Sequence, residues 1–247
     1  MNVLGVIPAR YHSTRLPGKP LLMIGTKPMI QWVYEAAKTA TLIDELVVAT
    51  DDQRIFDAVV NFGGKAELTA ADHPTGTDRL AEVARRFQTQ LVVNVQGDEP
   101  LIQGAVIDSI IRPLLEEPEL PMSTAKVRLT DPEQVQEASV VKVVTAENGD
   151  ALYFSRSPIP YPRNAGKAVY WKHIGLYGYR KDFLLKYVDL SQPGLELAES
   201  LEQLRVLSNG YRIRVVEVER DSVGVDTPAD LERVKEILAE NGTRPEA

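Results

Sequence analysis

The 247-residue chain contains no cysteine. That excludes disulfides and thiolate nucleophiles, fits a reducing compartment, and makes a structural zinc site improbable. Only three histidines occur, His12, His73 and His173, at spacings that match no zinc motif. No apolar run is long enough to cross a bilayer, and Arg10 interrupts the N-terminal apolar run before it reads as a signal peptide. A cytoplasmic protein that meets no membrane is expected. Dense Lys/Arg runs are also missing, and the formal net charge is −7, so no footprint for nucleic acid is present. There is no internal repeat, no Gly-x-Gly-x-x-Gly fingerprint and no Ser/His/Asp constellation. A Walker A loop is excluded as well: no glycine stands five residues before Gly18, and Pro20 takes the place of the magnesium-binding Ser or Thr.

The most informative absence is local. No carboxylate precedes Glu35, although the whole chain is acidic. Into this uncompensated stretch fall Arg10, Arg15 and Lys19, on a loop with Pro17-Gly18 that follows the apolar run of residues 3–7. Each cation alone reads as a solvated surface residue. Together, at the end of a buried strand, they read as an anion site suited to a triphosphate.

The first half alternates strand and helix. Residues 3–7, 45–50, 66–68 and 91–96 read as strands. Residues 28–40 predict a helix with Met29, Trp32, Val33, Ala36 and Ala37 on one face. Residues 51–62 predict another, capped by Asp51 or Asp52, with Ile55, Phe56, Val59 and Val60 inward. Thr77 is expected to cap a helix over 78–87, and a helix of about a dozen residues should follow Pro100. Such alternation implies a doubly wound, mainly parallel α/β sheet of Rossmann-like type. Past Pro118 the rhythm turns β-rich. Strands are expected at 122–129, 140–145, 151–155, 174–179 and 213–218, with a helix over 195–207. Thr227, followed by Pro228 and Asp230, opens a final helix that buries Leu231, Val234, Ile237 and Leu238. The expectation is one α/β domain over 1–247 with a β-rich part at about 120–215.

Ligands of open parallel sheets bind beyond the carboxyl ends of the strands. Asp98 lies there, in Gly97-Asp98-Glu99, with Glu99 its nearest competitor and helix capping a structural alternative. Asp226 precedes Thr227, which can cap the last helix by itself. Two carboxylates and bound phosphate oxygens would suit magnesium. In the strand around His173, alternation puts His173, Gly175 and Tyr177 on one face. That face suits either sugar recognition, with Arg156 and Arg163 in the same region, or an ordinary hydrogen-bonded strand histidine.

Several segments carry a family likeness in order along the chain: residues 8–21 (PARYHSTRLPGKPL), 73–82 (HPTGTDRLAE), 94–100 (NVQGDEP), 151–156 (ALYFSR), 173–179 (HIGLYGY), 201–207 (LEQLRVL) and 224–228 (GVDTP). The whole resembles the 3-deoxy-manno-octulosonate (Kdo) cytidylyltransferases, enzymes with a nucleotidyltransferase fold. Sialate cytidylyltransferases differ in the first loop. The resemblance implies CMP transfer from CTP to the anomeric hydroxyl of Kdo, with magnesium as cofactor and a homodimer as the assembly. It implies nucleotide contacts at Pro8, Ala9, Arg10, Arg15, Lys19, Thr75, Gly76 and Arg79, with Lys19, Arg15, Asp98 and Asp226 catalytic and Asp98 and Asp226 on the metal. It assigns sugar contacts to Gln96, Arg156, Arg163, His173, Tyr177, Glu202 and Gln203. The β-rich part would carry sugar binding and dimerisation. An 8-amino-Kdo or sialate acceptor, or a noncatalytic nucleotide-binding protein, are the alternatives at this point.

Overall fold

A computed structural model of the chain describes residues 2–12, 16–164 and 166–240. They fall into two compact units, the first made of Met1–Asp108 and Ser222–Ala247, the second of Ser109–Asp221. In chain order the first unit runs β1 (Val3–Ala9), a 3-10 turn at Lys19–Leu21, β2 (Met23–Ile24), β3 (Lys27–Pro28), α1 (Met29–Ala37), β4 (Glu45–Thr50), α2 (Gln53–Asn61), β5 (Ala66–Leu68), α3 (Gly76–Arg86) and β6 (Leu91–Asn94). The division between units falls within α4 (Gly104–Glu116). The second unit continues with β7 (Met122–Leu129), α5 (Pro132–Gln136), β8 (Lys142–Thr145), β9 (Ala151–Ser155), β10 (Tyr170–Arg180), α6 (Lys181–Tyr187), α7 (Gly194–Glu199), α8 (Gln203–Ser208) and β11 (Ile213–Val218). The chain then returns to the first unit for α9 (Pro228–Glu240).

In the first unit β6, β1, β4 and β5 lie in that order, all parallel. The parallel, α/β character expected from the alternation is therefore present. Val3, Leu4, Val6, Ile7, Val47, Val48, Val92 and Val93 are all buried, as strands sheathed on both faces require. The last helix belongs here because Val234 and Leu238 of α9 pack with Ile24, Met29 and Val225. In the second unit β7 pairs antiparallel with β10 and parallel with β11, while β8 pairs antiparallel with β9 and β10.

Local details depart from the sequence reading. Thr77 is buried and is not the cap of α3; Thr75 is, in a reciprocal capping box with Asp78 that begins the helix two residues early. The helix expected over 195–207 is broken, because Ser200 adopts a left-handed conformation (φ 51°) and separates α7 from α8. On α1 the buried face also carries Ile30 and Tyr34, while the half-buried Trp32 packs against the core and donates its indole N–H to the Ile24 carbonyl. Val60 of α2 is exposed, so that helix buries a narrower stripe of Ile55 and Val59. In β10 a bulge between Ile174 and Tyr177 interrupts the alternation. His173 stands opposite Lys126 and Tyr177 opposite Thr124. Gly175 therefore drops out of the shared face, and Tyr177 takes its place beside His173.

Candidate active site

In the first unit the cationic loop leaves β1 at Ala9, which is buried, and passes to the exposed Arg10. Its far end is tied back: the Gly18 N–H donates to the Tyr11 carbonyl at 2.9 Å. Gly18 has φ 68°, and a Cβ there would sit 3.1 Å from the Tyr11 ring, so a left-handed, side-chain-less residue is required. The Arg54 guanidinium lies 3.4 Å from the centroid of the Tyr11 ring. Asp52 holds that guanidinium through both carboxylate oxygens, at 2.9 and 2.6 Å. Arg15, a candidate for triphosphate binding, lies outside the described residues.

Beyond this clasp Lys19 opens the 3-10 turn and points its ammonium at three oxygens. They are Asp98 Oδ2 at 2.6 Å, the Val225 carbonyl at 2.9 Å and Asp226 Oδ1 at 3.1 Å. The two carboxylates singled out from distant parts of the sequence thus meet on one cation. Two local features bring Asp226 there. The Val225 N–H donates to the Asp98 carbonyl at 2.8 Å, stitching the two segments backbone to backbone. Thr227 and Asp230 form their own reciprocal cap at the start of α9, at 2.8 and 3.2 Å. Glu99, the competitor for Asp98, instead accepts a hydrogen bond from Ser222 Oγ at 2.6 Å. Among the described residues no three His, Cys, Asp or Glu side chains cluster as a metal cage. Two carboxylates suit a magnesium ion that takes its other ligands from phosphate and water.

Pro8, Gly76 and Gly97 converge behind this point. A Cβ at Gly97 would come within 2.6 Å of the Pro8 carbonyl, and one at Gly76 within 3.8 Å of the Pro8 ring. Gly76 is exposed at the N-terminus of α3, where the helix dipole favours an anion or a carbonyl-rich ligand. His73 Nε2 meets Glu82 Oε2 at 2.5 Å, and the same oxygen accepts the Ala70 N–H at 3.0 Å, so α3 fastens the loop that carries Thr75. Arg79 is buried and engages Asp51 and Thr69, joining α3 to the end of β4. Gln96 is half-buried in the segment between β6 and Asp98.

The remaining sugar candidates lie in the second unit. His173 is buried, with its ring 4.9 Å from Phe154 and 5.4 Å from Tyr177. Burial, helped by the Lys172 charge, lowers its pKa to about 3, so it is neutral. The Thr124 hydroxyl lies 2.8 Å from the Leu176 carbonyl and 3.0 Å from His173 Nε2. The Ile174 carbonyl lies 3.1 Å from the same hydroxyl, so Thr124 ties the imidazole to the backbone around the bulge. The Arg156 guanidinium donates to the carbonyls of Glu199, Ala138 and Ser200 at 2.7, 3.0 and 3.3 Å. It thereby holds the left-handed bend that separates α7 from α8, with Glu202 and Gln203 just beyond. Arg163 is exposed in the loop after Pro162. Two basic residues were missed. Lys142 is fully buried and donates to the Glu137 and Arg156 carbonyls at 2.9 and 2.5 Å, and its desolvation lowers its pKa. Lys126 donates to Thr145 at 2.9 Å and stands over the Trp171 ring. A lysine inside the apolar run 140–144 was the available signal for the first.

The cytidylyltransferase family profile matches residues 4–214. The 3-deoxy-manno-octulosonate cytidylyltransferase of Syntrophotalea carbinolica is 56% identical, covering 96% of this chain and 99% of that protein. The chain belongs to the 3-deoxy-manno-octulosonate cytidylyltransferase family. Its relative of that name in Solibacter usitatus is 53% identical over 96% of this chain and 94% of its own length. A solved CMP:2-keto-3-deoxy-manno-octonic acid synthetase, complexed with CTP, superposes with a TM-score of 0.95. It is 49% identical and covers 98% of this chain and 100% of its own. The fold of this family is thus the fold of this chain, and the chain is a nucleotidyltransferase. Among the described residues no helix is long and apolar enough to cross a membrane.

Proposed function

We propose that the chain transfers CMP from CTP to the anomeric hydroxyl of Kdo and releases pyrophosphate. The observation that carries this reading is the meeting of Lys19, Asp98 and Asp226 at one point of the first unit, in a chain 49% identical along nearly its whole length to a CTP-complexed synthetase of the octulosonate. The reaction is an in-line displacement. The anomeric oxygen forms a bond to the α-phosphorus, the bond from that phosphorus to the β-phosphate bridging oxygen breaks, and the hydroxyl proton leaves to solvent. Positioning and charge neutralisation supply most of the rate in such transfers.

The first unit supplies the nucleotide side. Arg10, Arg15 and Lys19 balance the triphosphate charge and the charge that builds on departing pyrophosphate. Gly76 and Thr75, at the start of α3, and Pro8-Ala9, at the end of β1, frame the nucleoside. Asp98 and Asp226 would hold magnesium, which when bound neutralises α-phosphate charge and lowers the pKa of a hydroxyl beside it. In the second unit the neutral His173 hydrogen-bonds a sugar hydroxyl, Tyr177 lies beside the imidazole, and Glu202 and Gln203 add polar contacts. Arg156 holds the Glu199 and Ser200 carbonyls that precede them, and Arg163 offers a cation for the sugar carboxylate. The same reading carries a cytoplasmic homodimer whose product serves lipopolysaccharide-type glycan assembly, as the family resemblance implies.

A pyrophosphate-release assay with CTP and magnesium, run against Kdo, 8-amino-Kdo and sialate, tests the reading. Release is expected with Kdo. Absence of release with Kdo alongside turnover of another acceptor would replace the substrate, and absence with all three would remove the enzyme reading.

A further inference from the structure

We propose that Lys19 is a resident counter-cation that exchanges with the metal, guarding the Asp98–Asp226 pair until nucleotide arrives and then moving to the triphosphate. The inference rests on the reading of those carboxylates as metal ligands. A lysine ammonium has three N–H donors. Here they reach three oxygens, of Asp98, Val225 and Asp226, so none remains for a phosphate. The Lys19 side chain is only 15% exposed, which keeps the ammonium on protein acceptors. A metal ion held between Asp98 Oδ2 and Asp226 Oδ1 needs the space the ammonium fills. The triphosphate role and the carboxylate contact therefore belong to different states of one side chain.

The geometry makes that exchange local. The Lys19 backbone is fixed by its N–H to the Leu16 carbonyl at 3.1 Å and by its carbonyl accepting from Leu22 at 3.2 Å. Only the four-carbon stem has to rotate. Charge favours the order of events. The ammonium offsets carboxylate repulsion and so stabilises the pair while the site lacks metal. Without nucleotide the ammonium competes with the metal for both carboxylates. Triphosphate gives the ammonium a new partner and ends that competition, so metal and CTP bind with positive coupling, each strengthening the other by the same factor.

The test measures manganese binding by electron paramagnetic resonance in nucleotide-free protein, for wild type, Lys19→Met, Lys19→Gln and Lys19→Met/Asp226→Asn. Both single variants are expected to bind manganese at least about tenfold more tightly than wild type, an increase of about 1.4 kcal/mol in affinity. Adding Asp226→Asn should cancel that gain, and the factor by which CTP tightens manganese should shrink in Lys19→Met. Lys19→Gln keeps a donor for the Val225 carbonyl, and circular dichroism melts establish that the variants are folded. Equal manganese affinity in wild type and both folded single variants overturns the exchange. Asp226→Asn in the CTP-saturated enzyme separates the two layers. If it weakens manganese while Lys19→Met gains nothing, only the exchange falls. If it leaves manganese unchanged, the metal assignment falls and takes the exchange with it.

Discussion

Glu196→Gln in α7 should cost far more than a surface charge change. Glu196 and Arg205 form a two-bond ion pair at 2.8 and 2.5 Å, with side chains 5% and 7% exposed. The pairing with Glu196 holds the Arg205 guanidinium above its ordinary pKa. That guanidinium also lies 4.9 Å from the centroid of the Tyr187 ring, whose hydroxyl donates to the Glu202 carbonyl at 3.0 Å. Removing the carboxylate charge strands a buried cation, a loss of about 3–5 kcal/mol. Unfolding entropy of about 2.1 cal/mol/K per residue gives about 0.5 kcal/mol/K for this chain, so Tm should fall by roughly 6–10 °C. Calorimetry reads that loss directly. Because the pair supports Tyr187 and hence Glu202, the apparent KM for Kdo should rise while that for CTP stays near wild type. Replacing both partners, Glu196→Leu with Arg205→Met, should recover most of the stability, since no buried charge is then left alone. A Glu196→Gln loss under about 1 kcal/mol, or a double variant no better than the single, would refute the reasoning.

Asp226→Asn should depress turnover strongly and flatten the magnesium dependence; a magnesium titration like wild type would remove Asp226 from the metal. His173 has a folded pKa near 3, below its unfolded value of 6.5. The unfolded chain therefore takes a proton that the native chain refuses, and the stability from His173 is full above pH 6.5 and is lost as pH falls towards 3. The stability advantage of wild type over His173→Gln should shrink by about 3 kcal/mol between pH 7 and 4 in urea titrations; a pH-independent difference would show that this imidazole is not held neutral. Thr75→Ala removes the α3 cap and should cost about 1 kcal/mol, with KM for CTP raised more than KM for Kdo. The reverse KM pattern would move Thr75 away from the nucleotide.

Legibility followed the reach of each signal. Strands such as Val3–Ala9 and Leu91–Asn94 announce themselves because burial on both faces demands continuous apolar runs. The pairing of Asp98 with Asp226 rested on where each falls relative to a strand or helix end, and in the structure both carboxylates contact Lys19. What escaped were choices among chemically equal neighbours. Thr77 reads as the cap, but it is Thr75 that completes a box, with Asp78 three residues after it. Ser200 carries no glycine to advertise a left-handed bend. The bulge in β10 leaves no trace in composition, yet it sets which side chain sits next to His173. The charge of Arg156 is visible in the sequence, whereas the three carbonyls it meets are not.

The first unit is written in two instalments: the polypeptide departs after Asp108 and rejoins at Ser222. On the ribosome, Lys19 and Asp98 emerge early and stay without Asp226, which lies 207 positions after the lysine. Nascent chains therefore lack one of the two carboxylates that Lys19 binds through most of their synthesis, and its contacts are completed only when the returning segment arrives.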